Sequence, residues 1–370
     1  MRKRFIYKVT AVILTLTLGT LIFSGEIISS AETASETDFG EISARSAVLM
    51  NASTGGIVYA RNPGEVRAMA SVTKIMTTLL TIESGESGES DFDTPFTVDS
   101  EAVCVEGSSM GLCPGDVVSK RDLCYGMMLP SGNDSANAAA VAVSGNIAGF
   151  VALMNSRAAE LGLSGTRFAN PHGLDEKNHY STAYDLAVLT RFALRNATFR
   201  EICGTRSAKI TFRNQPYPHN LHNNNKLLRM YDGCIGVKTG FTDNARRCLV
   251  SAAERNGVTL IAVTLSAADD WNDHIKMFDY GFGKVTNRVL PLDLSGITVS
   301  SPEKSENNLS INVVPENPLT FPLTEEEAER ITFRTATRPF AYGKNGSPAG
   351  EISLFLDGEV LMTEQLVTAE

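Results

Sequence analysis

Three short motifs in the first two-thirds of the chain carry the residue types that acyl transfer requires. Ser71 stands three residues before Lys74, and Ser131 stands two residues before Asn133. Lys238 opens a third motif, Lys-Thr-Gly. An acyl-transfer enzyme needs a nucleophile beside a base, a route for a proton to the leaving group, and donors for the developing oxyanion. The three motifs together offer each of these groups.

Each motif alone also has an ordinary structural explanation. Ser71 could simply begin a helix whose Lys74 is solvated, but Lys74 lies in an otherwise apolar helical stretch, and a spacing of three brings both side chains to one helix face. Ser131 could simply mark a turn between two helices. Lys238 follows an apolar run, so the third motif is predicted to lie on a strand or at its end. A glycine there lets a substrate backbone come close.

The elements that must position these motifs follow from hydrophobic periodicity. Apolar runs at 47–50 and 57–60 flank a turn-rich segment and predict a hairpin. Helices are predicted at 71–82, 120–129, 135–143, 150–161 and 183–195, and further strands at 208–212, 248–253 and 258–266. The acidic stretch 83–93 is predicted to be a solvated loop. This order indicates an α+β fold, in which an antiparallel sheet made from early and late segments packs on a helical cluster.

The character of the sequence changes near residue 287. From residue 290 onward the chain shows short β-type runs separated by polar breaks, with an Asp357-Gly358 turn between the last two. We therefore expect a catalytic domain at 38–286 and a small all-β domain at 288–370.

The N-terminus indicates an exported protein. Four basic residues precede the uncharged apolar run 9–25, and small residues at 29–31 suit a cleavage site. We interpret residues 1–31 as a signal peptide, with an uncleaved membrane anchor as the alternative. The last basic residue is Lys344, so the C-terminus is not predicted to form a basic amphipathic membrane anchor. The mature protein is expected in the cell wall, the periplasmic space or the medium.

Composition excludes several classes of protein. With 43% hydrophobic and 20% charged residues, the chain is neither disordered nor disulfide-dense. The net charge of −9, without a basic stripe, argues against a nucleic-acid partner. The histidines and cysteines show no metal-ligand spacing, so neither a metal nor another cofactor is expected. Whether Cys104 and Cys113 are bridged stays open at this point.

The order of the three motifs, separated by about 57 and 105 residues, resembles that of the serine penicillin-recognising enzymes. Among these, the chain is most similar to the D-alanyl-D-alanine carboxypeptidases, which are low-molecular-mass penicillin-binding proteins. The stretches that carry the resemblance are 70–77, 107–112, 129–134, 170–175, 180–183 and 236–243. The resemblance runs from about residue 40 to 285, and it implies a β-lactamase/transpeptidase-like fold.

The resemblance also implies roles for the helical motifs. Ser71 is expected to be the acylated nucleophile and Lys74 the base that takes its proton. Ser131 is expected to relay a proton to the departing D-alanine, with Asn133 holding the substrate amide. A lysine acts as a base at neutral pH only if burial or a neighbouring cation lowers its pKa.

The strand motif is expected to bind substrate. By the resemblance, Lys238 and Thr239 hold the terminal carboxylate, Gly240 allows close approach, and the backbone N–H groups of Ser71 and Phe241 form the oxyanion hole. The implied partners are peptidoglycan stem peptides ending in D-Ala-D-Ala, and β-lactams as covalent inhibitors. The expected activity is therefore that of a serine-type D-Ala-D-Ala carboxypeptidase.

Two alternatives use the same fold. A β-lactamase would need a deacylating glutamate, and the loop 172–178 contains Glu176 without the expected surrounding pattern. A non-catalytic penicillin sensor would keep the motifs without turnover. One departure from the family stands beside the third motif: a small residue is expected where Arg246 is found. Release of free D-alanine from a peptide separates the three functions.

Overall fold

A computed structural model describes residues 40–86, 91–290, 292–294, 296–300, 310–339, 341 and 345–369. The predicted signal peptide, residues 1–31, lies outside this described part. Within it, no single helix is long and apolar enough to cross a membrane; one pair of helices, bent by 85°, meets the length and composition criteria only when its two members are joined.

A five-stranded antiparallel sheet forms the centre of the larger part of the molecule. In chain order, the strands before residue 270 are β1 (Ser46–Asn51), β2 (Ile57–Arg61), β3 (Phe96–Thr97), β4 (Val117–Val118), β5 (Ser207–Thr211), β6 (Pro218–His222), β7 (Cys234–Thr242), β8 (Arg246–Arg255) and β9 (Val258–Ala267). The central sheet has the order β2-β1-β9-β8-β7. It therefore joins early and late segments, as predicted, and it leaves β7, which carries Lys238, at an edge.

Helices cover both faces of this sheet. In chain order, the helices of the described residues are α1 (Lys74–Glu86), α2 (Ser100–Val103), α3 (Lys120–Met128), α4 (Asn133–Ser144), α5 (Ile147–Glu160), α6 (Ala183–Ala193), α7 (Ala197–Gly204), α8 (Leu227–Met230), α9 (Asp270–Lys284) and α10 (Glu325–Glu329). The larger apolar cluster lies between α1, α3–α7 and one face of the sheet. A second cluster lies between α9 and the other face. The α+β fold class is confirmed.

The first long helix begins later and ends later than predicted. Ser71 lies in a 3-10 turn, Ala70–Thr73, and α1 starts only at Lys74. The helix then continues through Glu86, into the segment predicted as a solvated loop. Glu83 accepts a hydrogen bond from Arg157 at 2.7 Å, and this long-range contact holds the last turn. The loop prediction was wrong there because it considered local charge alone.

Other departures also come from tertiary contacts. The predicted strand at 208–212 does form, as β5, but it pairs with β6 outside the central sheet. Helix α4 starts at Asn133 and not at residue 135. Helices α7 and α9 were not predicted. Helix α9 opens with acidic residues and is amphipathic, and it buries Met277 and Phe278 against the sheet.

The C-terminal part is β-rich. Its strands are β10 (Thr286–Val289), β11 (Thr298–Ser300), β12 (Ser310–Pro315), β13 (Thr320–Leu323), β14 (Ile331–Thr337), β15 (Pro348–Leu356) and β16 (Glu359–Thr368). Five of them form a sheet of order β11-β12-β16-β15-β14, and β10 pairs with β13. The predicted turn at Asp357-Gly358 joins β15 and β16, with positive φ at both residues.

The boundary predicted near residue 287 falls inside β10. Side chains of the central sheet also bond to the C-terminal part, since Asn51 Nδ2 donates to the Pro322 carbonyl at 3.0 Å and Thr54 Oγ1 donates to Glu327 Oε1 at 2.5 Å. The division into domains at 38–286 and 288–370 stays a prediction. Cys104 and Cys113 are both exposed and unpaired in this structure.

Candidate active site

The 3-10 turn before α1 places Ser71 directly beside Lys74. Lys74 Nζ lies 2.9 Å from Ser71 Oγ. The same nitrogen donates to Asn133 Oδ1 at 2.7 Å and to the His172 carbonyl at 2.6 Å. Lys74 is fully buried, whereas Ser71 is partly exposed. A buried amine thus contacts a hydroxyl that a substrate can reach.

Two buried lysines face the same site. Burial lowers the pKa of Lys74 well below its ordinary value, the Lys238 cation lowers it further, and the Asp134 carboxylate opposes both. Burial alone lowers the pKa of Lys238 to about 7. These shifts favour a neutral amine on Lys74, which is the form that can accept a proton.

Ser131 lies in the break between α3 and α4, and Asn133 is the first residue of α4. Asn133 Nδ2 donates to the Glu106 carbonyl at 2.7 Å, while its Oδ1 accepts from Lys74. Both ends of this amide therefore bond within the protein, and its visible effect is to orient Lys74. Ser131 is nearly buried and has a positive φ of 69°. This strained conformation is typical of residues fixed at a functional site.

Asp134 holds a segment on the same side of the cleft, and sequence reasoning gave it no role. Its carboxylate accepts the backbone N–H groups of Met110, Gly111 and Leu112 at 3.0–3.1 Å. It also accepts from the Ser109 hydroxyl at 2.6 Å. The next residue after Asn133 thereby fixes the stretch 107–112, one of those that carried the family resemblance. Because Asp134 itself belongs to another of these stretches, 129–134, the sequence held a signal that the two stretches are in contact.

The loop 169–179 closely contacts the 3-10 turn Ala70–Thr73, which carries Ser71. Thr77 Oγ1 donates to the Pro171 carbonyl at 2.6 Å. Gly173 has a φ of 98°, and a Cβ there would lie 2.1 Å from the Ala70 carbonyl oxygen. Because no side chain fits in that space, only glycine allows the loop to approach this far. The loop supplies the carbonyl that holds Lys74.

His179 connects this loop to the turn that carries Ser71, and its hydrogen bonds define its tautomer. Its Nδ1 accepts the Ala169 N–H at 2.9 Å, so Nε2 carries the proton and donates to Thr73 Oγ1 at 2.8 Å. Thr73 in turn donates to the Ala70 carbonyl at 2.7 Å. Burial lowers the pKa of His179 to about 4, and the ring stays neutral at physiological pH. Sequence reasoning did not find His179.

His172 has a structural position. Burial lowers its pKa to about 3, and its Nδ1 accepts the Leu174 N–H at 3.2 Å. We call the Ala70–Lys74 turn, Asn133 and the loop 169–179 the helical wall of the cleft.

Strand β7 forms the opposite side, and we call residues 238–242 the strand wall. A Cβ on Gly240 would lie 3.0 Å from the Ser71 backbone nitrogen, so this glycine permits β7 to pass directly beside the nucleophile. Lys238 lies on β7, as predicted, near the middle of the strand, and its Nζ donates to the Thr239 carbonyl at 2.9 Å. Phe241 is 58% exposed at the rim.

The structure brings four of the sequence-predicted residues together. Ser71, Lys74 and Asn133 are joined by hydrogen bonds, and Gly240 contacts the turn that carries Ser71. Lys238 acts on Lys74 through its charge. Thr239 and Phe241 flank Gly240 on the same edge strand. The arrangement places a serine hydroxyl against a buried lysine amine, beside the edge strand of the central sheet.

Comparison with known proteins agrees with this chemistry. The family model of peptidase family S11, D-alanyl-D-alanine carboxypeptidase, matches residues 30–269. The chain is 32% identical over 335 residues to D-alanyl-D-alanine carboxypeptidase DacF of Bacillus subtilis, which covers 88% of this chain and 85% of that protein. It is also 32% identical to DacC of Escherichia coli, over 89% of this chain and 84% of that one.

Solved structures give the same result. The Streptomyces K15 DD-transpeptidase superposes with a TM-score of 0.62 at 33% identity, over 66% of this chain and 98% of that one. The D-alanyl-D-alanine carboxypeptidase DacD of Francisella tularensis superposes with a TM-score of 0.65 at 26% identity, over 90% of this chain and 94% of that one. Relatives match this chain over most of its length, and its Ser71 contacts a buried lysine. The chain therefore belongs to the serine-type D-alanyl-D-alanine carboxypeptidases of peptidase family S11.

Proposed function

We propose that this protein removes the terminal D-alanine from peptidoglycan stem peptides that end in D-Ala-D-Ala, through an acyl-enzyme on Ser71. The observation that carries the proposal is the 2.9 Å contact between Ser71 Oγ and the fully buried Lys74 Nζ. The lowered pKa of Lys74 makes this amine a competent base.

The hydrogen-bond pattern of Lys74 supports its role as base. A neutral amine has two N–H donors and one lone pair. The Asn133 amide oxygen and the His172 carbonyl are acceptors only, so they take the two N–H groups. The lone pair then points at the Ser71 hydroxyl. The proton moves from Ser71 Oγ to Lys74 Nζ as the oxygen attacks the scissile carbonyl carbon.

The remaining groups complete acylation. We assign the oxyanion to the backbone N–H groups of Ser71 and Phe241, and the terminal carboxylate to Lys238 and Thr239. When the tetrahedral intermediate collapses, the C–N bond breaks, and the proton on Lys74 passes through Ser131 Oγ to the D-alanine amine. Water then attacks the Ser71 ester while the neutral Lys74 accepts a proton from it. Lys74 returns this proton to Ser71 Oγ as the shortened peptide leaves.

β-Lactams fit the same proposal as inhibitors. Their strained amide would acylate Ser71 in place of the scissile peptide bond, with their carboxylate on Lys238 and Thr239. A β-lactamase reading has no support in the site: Glu176 is exposed, and its Oε2 accepts from Asn170 Nδ2 at 3.3 Å. Among the described residues, no glutamate forms a hydrogen bond with Ser71.

We also propose that the protein works outside the cytoplasm, because its proposed substrate is a cell-wall peptide and residues 1–31 have the pattern of a signal peptide. N-terminal sequencing of the protein after cell fractionation tests this. We expect a start near Glu32 in the wall or soluble extracytoplasmic fraction. A start at Met1 in the membrane fraction would identify the segment as a retained anchor.

Release of D-alanine tests the activity itself. Incubation with an acetylated peptide ending in D-Ala-D-Ala should liberate free D-alanine, and a labelled penicillin should label Ser71. Ser71→Ala should abolish both while its circular dichroism and Tm stay those of the native protein. Rapid hydrolysis of penicillin without D-alanine release would instead indicate a β-lactamase, and stable labelling without either would indicate a sensor.

A further inference from the structure

Arg246 occupies a conformation that favours glycine. It is the first residue of β8, directly after the turn from β7, and its φ is 59°. A non-glycine residue in this region costs conformational energy, and such strain persists where a side chain is needed for function. The strained backbone of Arg246 therefore suggests that its side chain has a function.

The Arg246 side chain lies at the rim of the cleft. It is exposed, and its guanidinium carbon stands 5.9 Å from the centre of the exposed Phe241 ring. Within the residues that the structure describes, no carboxylate forms an ion pair with it. The adjacent Arg247 differs, because its Nε donates to Asp270 at 2.8 Å. Arg246 therefore presents a guanidinium without an anionic partner.

The nearby carboxylates of Asp175 and Asp243 do not form ion pairs with Arg246. Asp175 Oδ1 accepts from Thr242 Oγ1 at 2.9 Å and lies 3.5 Å from Asn244 Nδ2, so it is bound by the turn itself. Asp243 is exposed on the same turn and forms no ion pair with Arg246. An arriving anion would meet the guanidinium with its five N–H donors available.

The part of a bound peptide that precedes the scissile bond should run along this rim. Under the proposed function, the terminal carboxylate lies at Lys238 and Thr239, and the scissile carbonyl lies beside Ser71 and the Phe241 N–H. The chain before the scissile bond must then continue past Phe241. Thr242 pairs with Arg246 across the hairpin, and two residues of strand cover about 7 Å. The residue preceding the acylated D-alanine thus comes within reach of Arg246.

We propose that Arg246 is a specificity-determining residue, which selects peptides whose residue before D-Ala-D-Ala carries a side-chain carboxylate. This inference rests on the proposed function and names the substrate class of the same site. An uncharged or amidated side chain at that position cannot form the ion pair.

Two matched peptides test the inference. Nα-acetyl-L-Glu-D-Ala-D-Ala and Nα-acetyl-L-Gln-D-Ala-D-Ala have almost the same shape and differ in one charge. For the native protein, we expect kcat/KM for D-alanine release to be about three- to fivefold higher with the Glu peptide at low salt, the scale of an exposed ion pair. The preference should shrink in 0.5 M salt because exposed charges are screened.

Variants assign the preference to Arg246. Arg246→Ala should bring the ratio close to one, and Arg246→Glu should reverse it. The control is Arg334→Ala, which removes the same charge and the same kind of contact, since Arg334 lies 4.9 Å from the Phe355 ring in the C-terminal sheet. This control should keep the native ratio. Arg246→Gly relieves the positive φ, so its Tm should equal or exceed that of the native protein.

The outcomes are distinguishable. Release of D-alanine from both peptides at equal rates, or a preference that survives Arg246→Ala, overturns the inference and leaves the proposed function intact. A clear fall in Tm for Arg246→Gly assigns the residue to the fold and also overturns it. No release from either peptide overturns the proposed function and the inference together.

Discussion

The helical wall and the strand wall of the cleft differ in how far their side chains are buried. In the helical wall, Lys74 is fully buried, and each of its hydrogen bonds ends on a group that is itself fixed. In the strand wall, Lys238 is buried as well, but Phe241 is exposed. Arg246, which pairs with the last residue of this wall across the hairpin, is also exposed.

The difference follows from what each wall must do. A lysine base requires a low dielectric, which lowers its pKa, and fixed hydrogen-bond partners, which aim its lone pair. A peptide-binding edge needs access, and it can tolerate exposed side chains whose individual contributions are small. We therefore expect changes in the helical wall to affect the chemical step strongly, and changes at the strand wall to affect substrate choice more mildly.

Removal of the base should have the largest effect. We expect Lys74→Met to lower the rate of acylation by penicillin by about 10²–10⁴, the usual contribution of a general base. Methionine fills similar space without an amine, and Tm should not fall, because a buried amine with a depressed pKa costs stability at neutral pH. Stopped-flow acylation and thermal unfolding measure the two quantities. Native acylation rates in this variant would contradict the assignment of Lys74.

A change that touches no catalytic group should come second. Gly173→Ala places a Cβ 2.1 Å from the Ala70 carbonyl. The loop or the nucleophile turn must then move, and a displacement of about 1 Å can cost about 10²-fold in rate. D-alanine release and chemical denaturation measure the effect; the clash should add about 1–3 kcal/mol of destabilisation.

Gly162→Ala is the matched control for Gly173→Ala. Gly162 also has a positive φ, 72°, but no atom lies within 4 Å of a Cβ placed there. It should show only the cost of the left-handed conformation, about 1–2 kcal/mol, with native kcat. Equal losses of activity in both variants would mean that the loop contact does not position the nucleophile.

At the strand wall, the terminal carboxylate provides the next effect. A peptide amidated at its C-terminus cannot form the charge-assisted bonds proposed for Lys238 and Thr239. Each lost bond should cost about 1.5–3 kcal/mol, roughly a 10- to 150-fold lower kcat/KM. The measurement compares release of D-alanine amide with release of D-alanine. If both peptides react alike, an esterase or endopeptidase activity would replace the carboxypeptidase assignment.

The sequence predicted the chemical groups of both walls but not their supports. The three motifs are local patterns, and α6 was predicted almost to its ends because its periodicity is local as well. His179 contacts Thr73 across 106 residues of chain, and Asp134 binds backbone N–H groups more than 20 residues away. No local pattern specifies such partners. Asn133 also acts on Lys74, a contact that the turn-like motif around it did not indicate.

The fold shows the same division. The hairpin β1–β2 and the turn at Asp357-Gly358 were found from local residue types. The 3-10 turn at Ser71 and the extension of α1 through Glu86 depend on contacts with Gly173, Gly240 and Arg157, which come from distant segments. Helix α9 was missed because its polar first turn masks an apolar face that only the sheet completes.

The smallest effect that we expect concerns the charge of Lys238 in the strand wall and its influence on the pKa of Lys74 in the helical wall. Burial is the main cause of the low pKa of Lys74, and the Lys238 cation is the second. Lys238→Gln removes only the second cause, so the pKa of Lys74 should rise modestly. Because the neutral amine is the base, the acidic limb of the acylation rate should move to higher pH.

The pKa of Lys238 itself makes this prediction sharper. Burial lowers it to about 7, so Lys238 carries its charge mainly below that pH. After each rate is scaled to its own plateau, the Lys238→Gln and native profiles should differ on the acidic side and converge well above pH 7. Lys238→Arg keeps a cation and should retain the native limb if the cation fits the same space. Penicillin acylation followed from pH 5 to 10 provides the profiles. A Lys238→Gln limb that coincides with the native one, or that moves to lower pH, would show that the strand wall does not tune the base of the helical wall.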